Sequence, residues 1–421
     1  MLQQVVWTVF LKFKLLKLNS LLKRAISPIK FFISDSRSTG ILLLLCTVIS
    51  LLLSNSSIGD SYRYFWNKEI HYGLSISLPH STLKWINDFL MAIFFLFAGM
   101  EIKRELTVGE LAGFKKAILP FGAALGGMIV PALIFISFNG NTGFVHGWGI
   151  PTATDIAFSL GIASLLGKRV PASLKIFLMA LAIIDDLGAI VVIALFYGNS
   201  INWMILLFAL IVYLLLWLCN FFKLKPGIIQ VILSVSLWYL LLNSGIEASI
   251  SGVLIAFAIP VNCLPKMEKA LHKIVNFFIL PLFVLANTAV LIPGEIVTAF
   301  HSPIFIGIVF GLVIGKPIGI FLFCKIMIRL KIASLPLNTN LKQLLGVGSL
   351  AGIGFTMSIF TTNLAFAAEE YRDIAKISIL AGLVFSICIS TGYFLILDKH
   401  FSVKPVIKKP TRKVYPQVAF G

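Results

Sequence analysis

The sequence predicts an all-α polytopic membrane protein of twelve transmembrane helices, and three observations carry that prediction. Of the 421 residues, 58% are hydrophobic and only 12% are charged, with a mean hydropathy of +0.98, whereas a soluble domain has about 25% charged residues. Apolar runs of about 17–25 residues recur along almost the whole chain, each long enough to cross a bilayer as a helix. Two of these runs are interrupted by Pro or Gly at corresponding places in two halves of the chain. No stretch is polar enough for a sizeable soluble domain.

Residues 1–38 carry Lys12, Lys14, Lys17, Lys23, Arg24 and Lys30 among Leu and Phe. They lack a compact apolar stretch followed by a small-residue cleavage site, so they read as a basic interfacial helix on the inner leaflet rather than a signal peptide. The membrane domain, 39–397, divides into spans at roughly 40–57, 82–102, 117–138, 145–166, 172–196, 203–222, 227–242, 247–260, 274–292, 303–324, 344–366 and 374–397. A basic cytoplasmic tail, 398–421, follows. The loop at about 58–80 alternates in places (Tyr62, Tyr64, Trp66), which suggests a small hairpin. A hairpin alone is marginal, so pairing with a second copy through this loop predicts a homodimer.

A net charge of +18 is compatible with nucleic-acid binding, but its distribution argues otherwise. With the N-terminus inside, about 29 of the 35 Lys and Arg fall in cytoplasmic segments, including Lys103-Arg104, Lys115-Lys116 and Lys168-Arg169. Both termini are therefore expected in the cytoplasm. The basic excess is a topology signal, reinforced by attraction to anionic membrane lipids, and it calls for no nucleic-acid partner. The five cysteines are scattered without metal spacing and read as small apolar residues.

Spans three to five (about 117–196) and ten to twelve (about 303–397) form two groups whose middle member is broken. Span four contains Gly149-Ile150-Pro151-Thr152-Ala153-Thr154-Asp155, where Pro151 lacks an amide donor and disfavours helix at Ile150. Span eleven contains Gly346, Gly348, Gly352 and Gly354, then Phe355-Thr356, and each glycine weakens a helix by about 1 kcal/mol. One group starts inside and the other outside, so the repeat is inverted. Paired interruptions in inverted halves point to a transport site. Glycines that merely allow close helix packing are the simpler explanation for span eleven alone.

Few charged residues lie at membrane depth: Asp88, Asp155, Asp185, Asp186 and Lys316, with Glu101 at the inner end of span two. A charge near the bilayer centre costs roughly 2.5–3.5 kcal/mol. Asp88 lies near an end and reads as structural. Asp155 can satisfy the orphan amides of a broken helix, and Lys316 can be a lone salt-bridge partner holding the bundle together or balance the negative half-helix C-termini. The set is harder to dismiss. Lys316 neutralises at most one of Asp155, Asp185 and Asp186, so the others must hold protons or a cation. Carboxylates, the Thr154 hydroxyl and freed carbonyls are all oxygen ligands suited to sodium, and the absence of a mid-span His/Cys cluster argues against a transition metal.

These residues resemble the NhaA sodium/proton antiporters of bacteria. The matching segments are Thr152–Phe158 (TATDIAF), Ala182–Gly188 (AIIDDLG) and Gly352–Ser358 (GIGFTMS), together with Trp85–Asp88, Gly99–Leu106 and Gly315-Lys316-Pro317, in order from about residue 40 to 397. The resemblance implies an inner-membrane antiporter, not an enzyme, without cofactors, whose spans four and eleven cross at their unwound centres, Gly352, Gly354, Phe355 and Thr356 marking the second. It implies that Asp186 and Asp185 carry the exchanged Na⁺ or Li⁺ and H⁺, with Asp155 and Thr154 beside them and Lys316 as charge partner. It further implies a pH-responsive cytoplasmic mouth made of Glu101, Arg104, Glu105, Glu268 and His272. Lys269 and Glu247 stand where the family pattern has histidines. Histidine titrates nearest neutrality, so these departures bear on the pH set-point rather than on exchange.

The expected mechanism is alternating access around one site, two protons entering for each monovalent cation expelled, in the service of sodium and pH homeostasis. Rival classes fit less well. An intramembrane aspartyl protease has its second Asp after Gly-x-Gly, whereas Asp185 follows Ala182-Ile183-Ile184. A sodium-coupled organic anion cotransporter would want a polar substrate cavity and less acid. A channel would conduct without saturable exchange.

Overall fold

The computed structural model describes residues 36–400 except 73–76, 110, 199, 223–226, 293–299 and 338. The interfacial helix expected before residue 36 and the tail from 401 onward lie outside the described residues.

Helix α1 (Ser36–Ser54) turns by 114° into the short α2 (Gly59–Asn67). Next come α3 (Thr82–Thr107) and α4 (Phe114–Asn139), then a 3₁₀ segment at Val145–Thr152 that leads through an extended break into α5 (Ile156–Leu165). α6 (Ala172–Phe196), α7 (Trp203–Phe221), α8 (Ile228–Leu242) and α9 (Ile250–Ala258) follow. The second half holds α10 (Val261–Asn287) and α11 (Pro303–Arg329). Two half-helices, α12 (Leu341–Ala351) and α13 (Phe355–Ala365), meet at 51° before α14 (Glu369–His400) closes the chain. Each of the twelve expected segments contains some helix, though several are broken or only partly helical. By length and composition, seven continuous helices among the described residues can cross a membrane, or nine if each bent pair is one span. The first half of span four is 3₁₀ rather than α, where Gly147, Gly149 and Pro151 crowd one short segment.

One expectation is overturned. Tyr62, Tyr64 and Trp66 lie on α2, not on a strand. Tyr62 and Trp66 are one helical turn apart, and their rings meet edge to face at 5.9 Å. Trp66 is buried, and the Tyr62 hydroxyl lies 3.0 Å from the Leu285 carbonyl. A four-residue spacing suits a helix as well as a strand, and burial of that face selects the helix. Strand pairing among the described residues is limited to a single bridge between Glu69 and Ser81.

Lipid tails are as apolar as leucine, so helices in a bilayer associate by close fit and polar contacts rather than by the hydrophobic effect. The fit is close where α4 meets α11. A Cβ added to Gly126 would lie 2.3 Å from the Gly319 carbonyl, and one added to Gly319 would lie 2.1 Å from the Gly126 carbonyl. The contact is reciprocal, and it joins the first helices of the two expected repeats. At the periphery α7 exposes Trp203, Leu207, Leu210, Leu214 and Phe221, the apolar surface of a lipid-facing helix. The buried core lies instead among α3, α4, α6, α10, α11 and the two broken helices.

Candidate functional site

The two breaks touch. Backbone is extended at Ala153–Asp155 between the 3₁₀ segment and α5, and non-helical at Gly352–Gly354 between α12 and α13. The Asp155 amide donates to the Ile353 carbonyl at 2.7 Å. The second break is shorter than expected, since Phe355 and Thr356 already form the first turn of α13. A Cβ on Gly352 would lie 2.4 Å from the Leu312 carbonyl, and one on Gly354 would lie 2.6 Å from the Ala153 carbonyl. Here the glycines serve close approach of one backbone to another.

Broken helices leave amides and carbonyls without intrahelical partners, and side chains from across the break supply them. Asp155 caps α5, accepting from the Phe158 amide at 3.1 Å through Oδ1. Its Oδ2 accepts from the Thr356 amide at 3.1 Å and the Thr356 hydroxyl at 2.5 Å. One carboxylate therefore serves the N-termini of both α5 and α13. On the carbonyl side, Ser159 donates to Leu350 at 3.0 Å, Ser358 to Ile150 at 2.7 Å and Ser386 to Gly352 at 3.3 Å. Tyr197 clips the 3₁₀ segment to the end of α6, donating to the His146 carbonyl at 2.6 Å and accepting from the Gly149 amide at 3.1 Å. Sequence reasoning missed these three serines and Tyr197. Their signal was present as lone hydroxyls inside apolar runs, which must find a partner when buried.

Lys316 follows a π-helical turn at Gly311–Gly315 in α11 and has no exposed surface. Its ammonium forms an ion pair with Asp185 Oδ2 and donates to the Thr154 hydroxyl. The Thr154 hydroxyl in turn lies 2.5 Å from Asp185 Oδ2 and 3.0 Å from the Ala351 carbonyl. A hydroxyl has one proton, so Thr154 donates to one of these while accepting from Lys316. The expectation that Lys316 balances the carbonyl end of the break is corrected: its hydrogen bonds go to side chains, and Thr154 reaches the end of α12. The ammonium is drawn to the full charge of Asp185, which outweighs the partial charge of a helix terminus.

Asp185 and Asp186 point about 100° apart on α6, and their surroundings differ accordingly. Asp185 is wholly enclosed with Lys316. Asp186 lines a cavity of about 370 Å³ that also touches Thr154, Asp155, Thr356, Glu101 and His272. Its Oδ1 is buried with no hydrogen-bond partner. The expected site residues Thr154, Asp155, Asp185, Asp186, Lys316 and Thr356 thus meet around one point. Asp88 sits apart, in the π-helical turn Ile86–Leu90 of α3, with its carbonyl accepting from Trp238 Nε1 at 3.0 Å.

The residues expected at the mouth also come together. Arg104 forms an ion pair with Glu268, lies 3.0 Å from Glu105 Oε1, and lies 4.0 Å from Glu101 Oε1. His272 Nε2 lies 3.1 Å from Asn276 Nδ2. Glu101 and His272 both line the cavity that reaches Asp186, so the cluster stands on the path between the site and that end of the molecule. Groups of three or more metal-binding side chains in reach of one ion are absent among the described residues. What the aspartates offer instead is a few carboxylate and hydroxyl oxygens, a hard-ligand set suited to a weakly held monovalent cation.

Comparison with known proteins gives this arrangement its context. The family model described as Na⁺/H⁺ antiporter 1 matches residues 30–395. The chain is 44% identical to Na⁺/H⁺ antiporter NhaA 2 of Clostridium beijerinckii, over 89% of this chain and 96% of that protein. It is 47% identical to NhaA 1 of Flavobacterium johnsoniae, over 85% and 93%, and 44% identical to NhaA of Pelagibacter ubique, over 90% and 99%. With the family model covering nearly the whole membrane domain and relatives matched almost end to end, the chain belongs to the NhaA family of Na⁺/H⁺ antiporters.

Proposed function

We propose that exchange runs through a single alternating-access site in which Asp186 binds the cation and Asp185, released from Lys316, carries the second of two protons. One observation carries the proposal: among Asp155, Asp185 and Asp186, Asp186 alone faces the cavity with an oxygen that nothing satisfies. An unpaired buried charge is untenable, so that carboxylate is either protonated or bound to a cation, and the two occupants exclude each other. Na⁺ and Li⁺ both suit oxygen ligands, and both are taken as substrates. Two protons for one cation move one positive charge inward per cycle, so a membrane potential contributes about 2.3 kcal/mol per 100 mV. Thr154 and Asp155 complete the site as positioning groups, and the Glu101–Arg104–Glu105–Glu268–His272 cluster adjusts cation access with pH. No catalytic chemistry and no cofactor enter this cycle.

The architecture we propose around this site has twelve spans in the inner membrane, both termini cytoplasmic, and inverted repeats at about 117–196 and 303–397. Reciprocal packing of Gly126 and Gly319 at the junction of the repeats supports the symmetry, and the bond between Asp155 and Ile353 supports crossing of the two broken spans. Basic termini, 1–38 and 398–421, would lie against anionic lipid. A homodimer through the loop 58–80 is proposed because α2 exposes Tyr64 and Phe65, large rings suited to a second copy.

The test is Asp186→Asn in inverted vesicles, with a pH gradient dissipated by added Na⁺, Li⁺ or K⁺. Exchange is lost with Na⁺ and Li⁺ in the variant. Full activity would overturn the assignment of the cation to Asp186.

A further inference from the structure

The cavity at Asp186 extends to Glu101 and His272 on the side of the mouth cluster, and the residues beyond its opposite side form layers. Three helices bound the far side of the cavity: α3, α10 and α13. On α10, Leu280 lines the cavity, and on α13, Met357 does. One turn further from the mouth cluster the rings close up, Phe95 against Phe360 at 5.4 Å and Phe283 against Phe360 at 6.5 Å. One turn beyond that on α10 and α13, and about two turns on α3, three amides meet. Asn87 and Asn287 donate to each other's side-chain oxygens at 3.3 and 2.8 Å, and Asn363 donates to the Asn287 oxygen at 2.7 Å. Asn287 is fully buried and also reaches the Phe283 carbonyl at 2.9 Å. Asn87 is separated from Arg104 at the mouth by about 25 Å of helix.

Three amides in apolar helices have no reason to be there unless they hold those helices together. Asn287 is the hub, sharing one oxygen between two helices. The helix that Asn363 holds is the one whose first turn binds Asp155. We propose that Asn87, Asn287 and Asn363 are positioning residues that clasp the outer ends of α3, α10 and α13, with Phe95, Phe283 and Phe360 as the seal beneath, and that this clasp opens when the site turns to face outward. The proposal rests on the alternating-access reading above. Opening costs no buried charge, because an amide released from its partner meets water as the outer route fills.

Accessibility measured from each side separates this role from a merely structural one. In a background with the five native cysteines replaced by alanine, a Met357→Cys reporter is labelled with a membrane-impermeant thiol reagent in right-side-out and in inverted vesicles. Adding Asn363→Ala, or independently Asn87→Ala, raises the outside rate about 3- to 30-fold, as expected for losing one or two interhelical amide bonds, and lowers the inside rate. Outside labelling unchanged in both variants overturns the clasp, as does an equal rise on both sides, which signifies general loosening. Na⁺-driven dissipation of a pH gradient, measured in the same vesicles before the asparagines are changed, reports separately on the transport reading: its absence defeats that reading whatever the labelling shows.

Discussion

Removing the Lys316 ammonium tests the energetic core of the site. In Lys316→Met the Asp185 side chain, with none of its surface exposed, loses its ion pair and either holds an unpaired charge or takes up a proton, both at a cost. Its Oδ1 already lacks a hydrogen-bond partner, so only the Thr154 hydroxyl remains to satisfy it. Stranding one member of a buried pair costs about 3–5 kcal/mol. Asp185→Asn strands the ammonium instead, leaving it only neutral acceptors, the new amide oxygen and the Thr154 hydroxyl, at a similar cost. The double variant Lys316→Met/Asp185→Asn contains neither charge and is expected within about 1 kcal/mol of the parent, because replacing a whole buried pair is often neutral. The cycle therefore closes with a coupling of about 3–5 kcal/mol, read by equilibrium unfolding in mixed micelles at one fixed pH. Additive effects, with coupling under about 0.5 kcal/mol, would refute the pairing of these two residues.

Three further outcomes follow from distances at the site. Thr356→Val removes a 2.5 Å hydroxyl bond to Asp155 while keeping the amide bond; a bond to a charged group is worth about 1.5–3 kcal/mol, so melting drops measurably and exchange slows about tenfold or more in vesicles. Gly319→Val drives a Cβ to 2.1 Å from the Gly126 carbonyl, and separation of α4 from α11 costs at least about 1–3 kcal/mol, seen as loss of folded protein on gel filtration, whereas Gly113→Ala, with open space around it, leaves the yield unchanged. Arg104→Gln removes the positive charge paired with Glu268; that carboxyl then holds its proton more tightly, so the pH profile of exchange moves to higher pH by about one unit while the maximal rate is retained.

The positions of the spans were legible because a bilayer allows few solutions: Ala172–Phe196 is apolar over a full crossing, and it is helical over those same residues. The breaks were legible because Pro151 and the glycines at 352 and 354 oppose helix locally. What joins the breaks was not. Asp185 and Lys316 are 131 residues apart, and the Thr356–Asp155 bond spans 201; periodicity says nothing at such range, and only family resemblance suggested the meeting. The loop helix α2 was misread because Tyr62 and Trp66 satisfy two periods at once, and the choice depended on the Leu285 carbonyl, more than two hundred residues away. The asparagine clasp was visible only as three isolated amides in apolar runs, a signal without a partner until the helices are packed.

The three acids differ in what already compensates them, and that difference bears on how many charges one cycle exchanges. Asp155 faces two helix N-termini, each worth about half a positive charge, so its carboxylate is close to balanced where it stands. Asp185 is balanced by Lys316. Asp186 is left as one uncompensated negative charge at the cavity. A single Na⁺ neutralises it, and so does a single proton. Exchange at Asp186 alone is therefore one for one and moves no net charge. A second proton finds a place only if it displaces Lys316 from Asp185, so two-for-one exchange requires the ion pair to break on every turnover. Lys316→Met/Asp185→Asn removes that second place while leaving Asp186 and its cavity intact. The double variant is expected to keep Na⁺-dependent dissipation of a pH gradient but to lose the charge displacement that accompanies it, measured as transient current on a supported membrane after a Na⁺ jump. A current per ion equal to the parent's would mean that the second proton travels on another group, with Asp155 and Glu101 then the remaining acids lining the cavity.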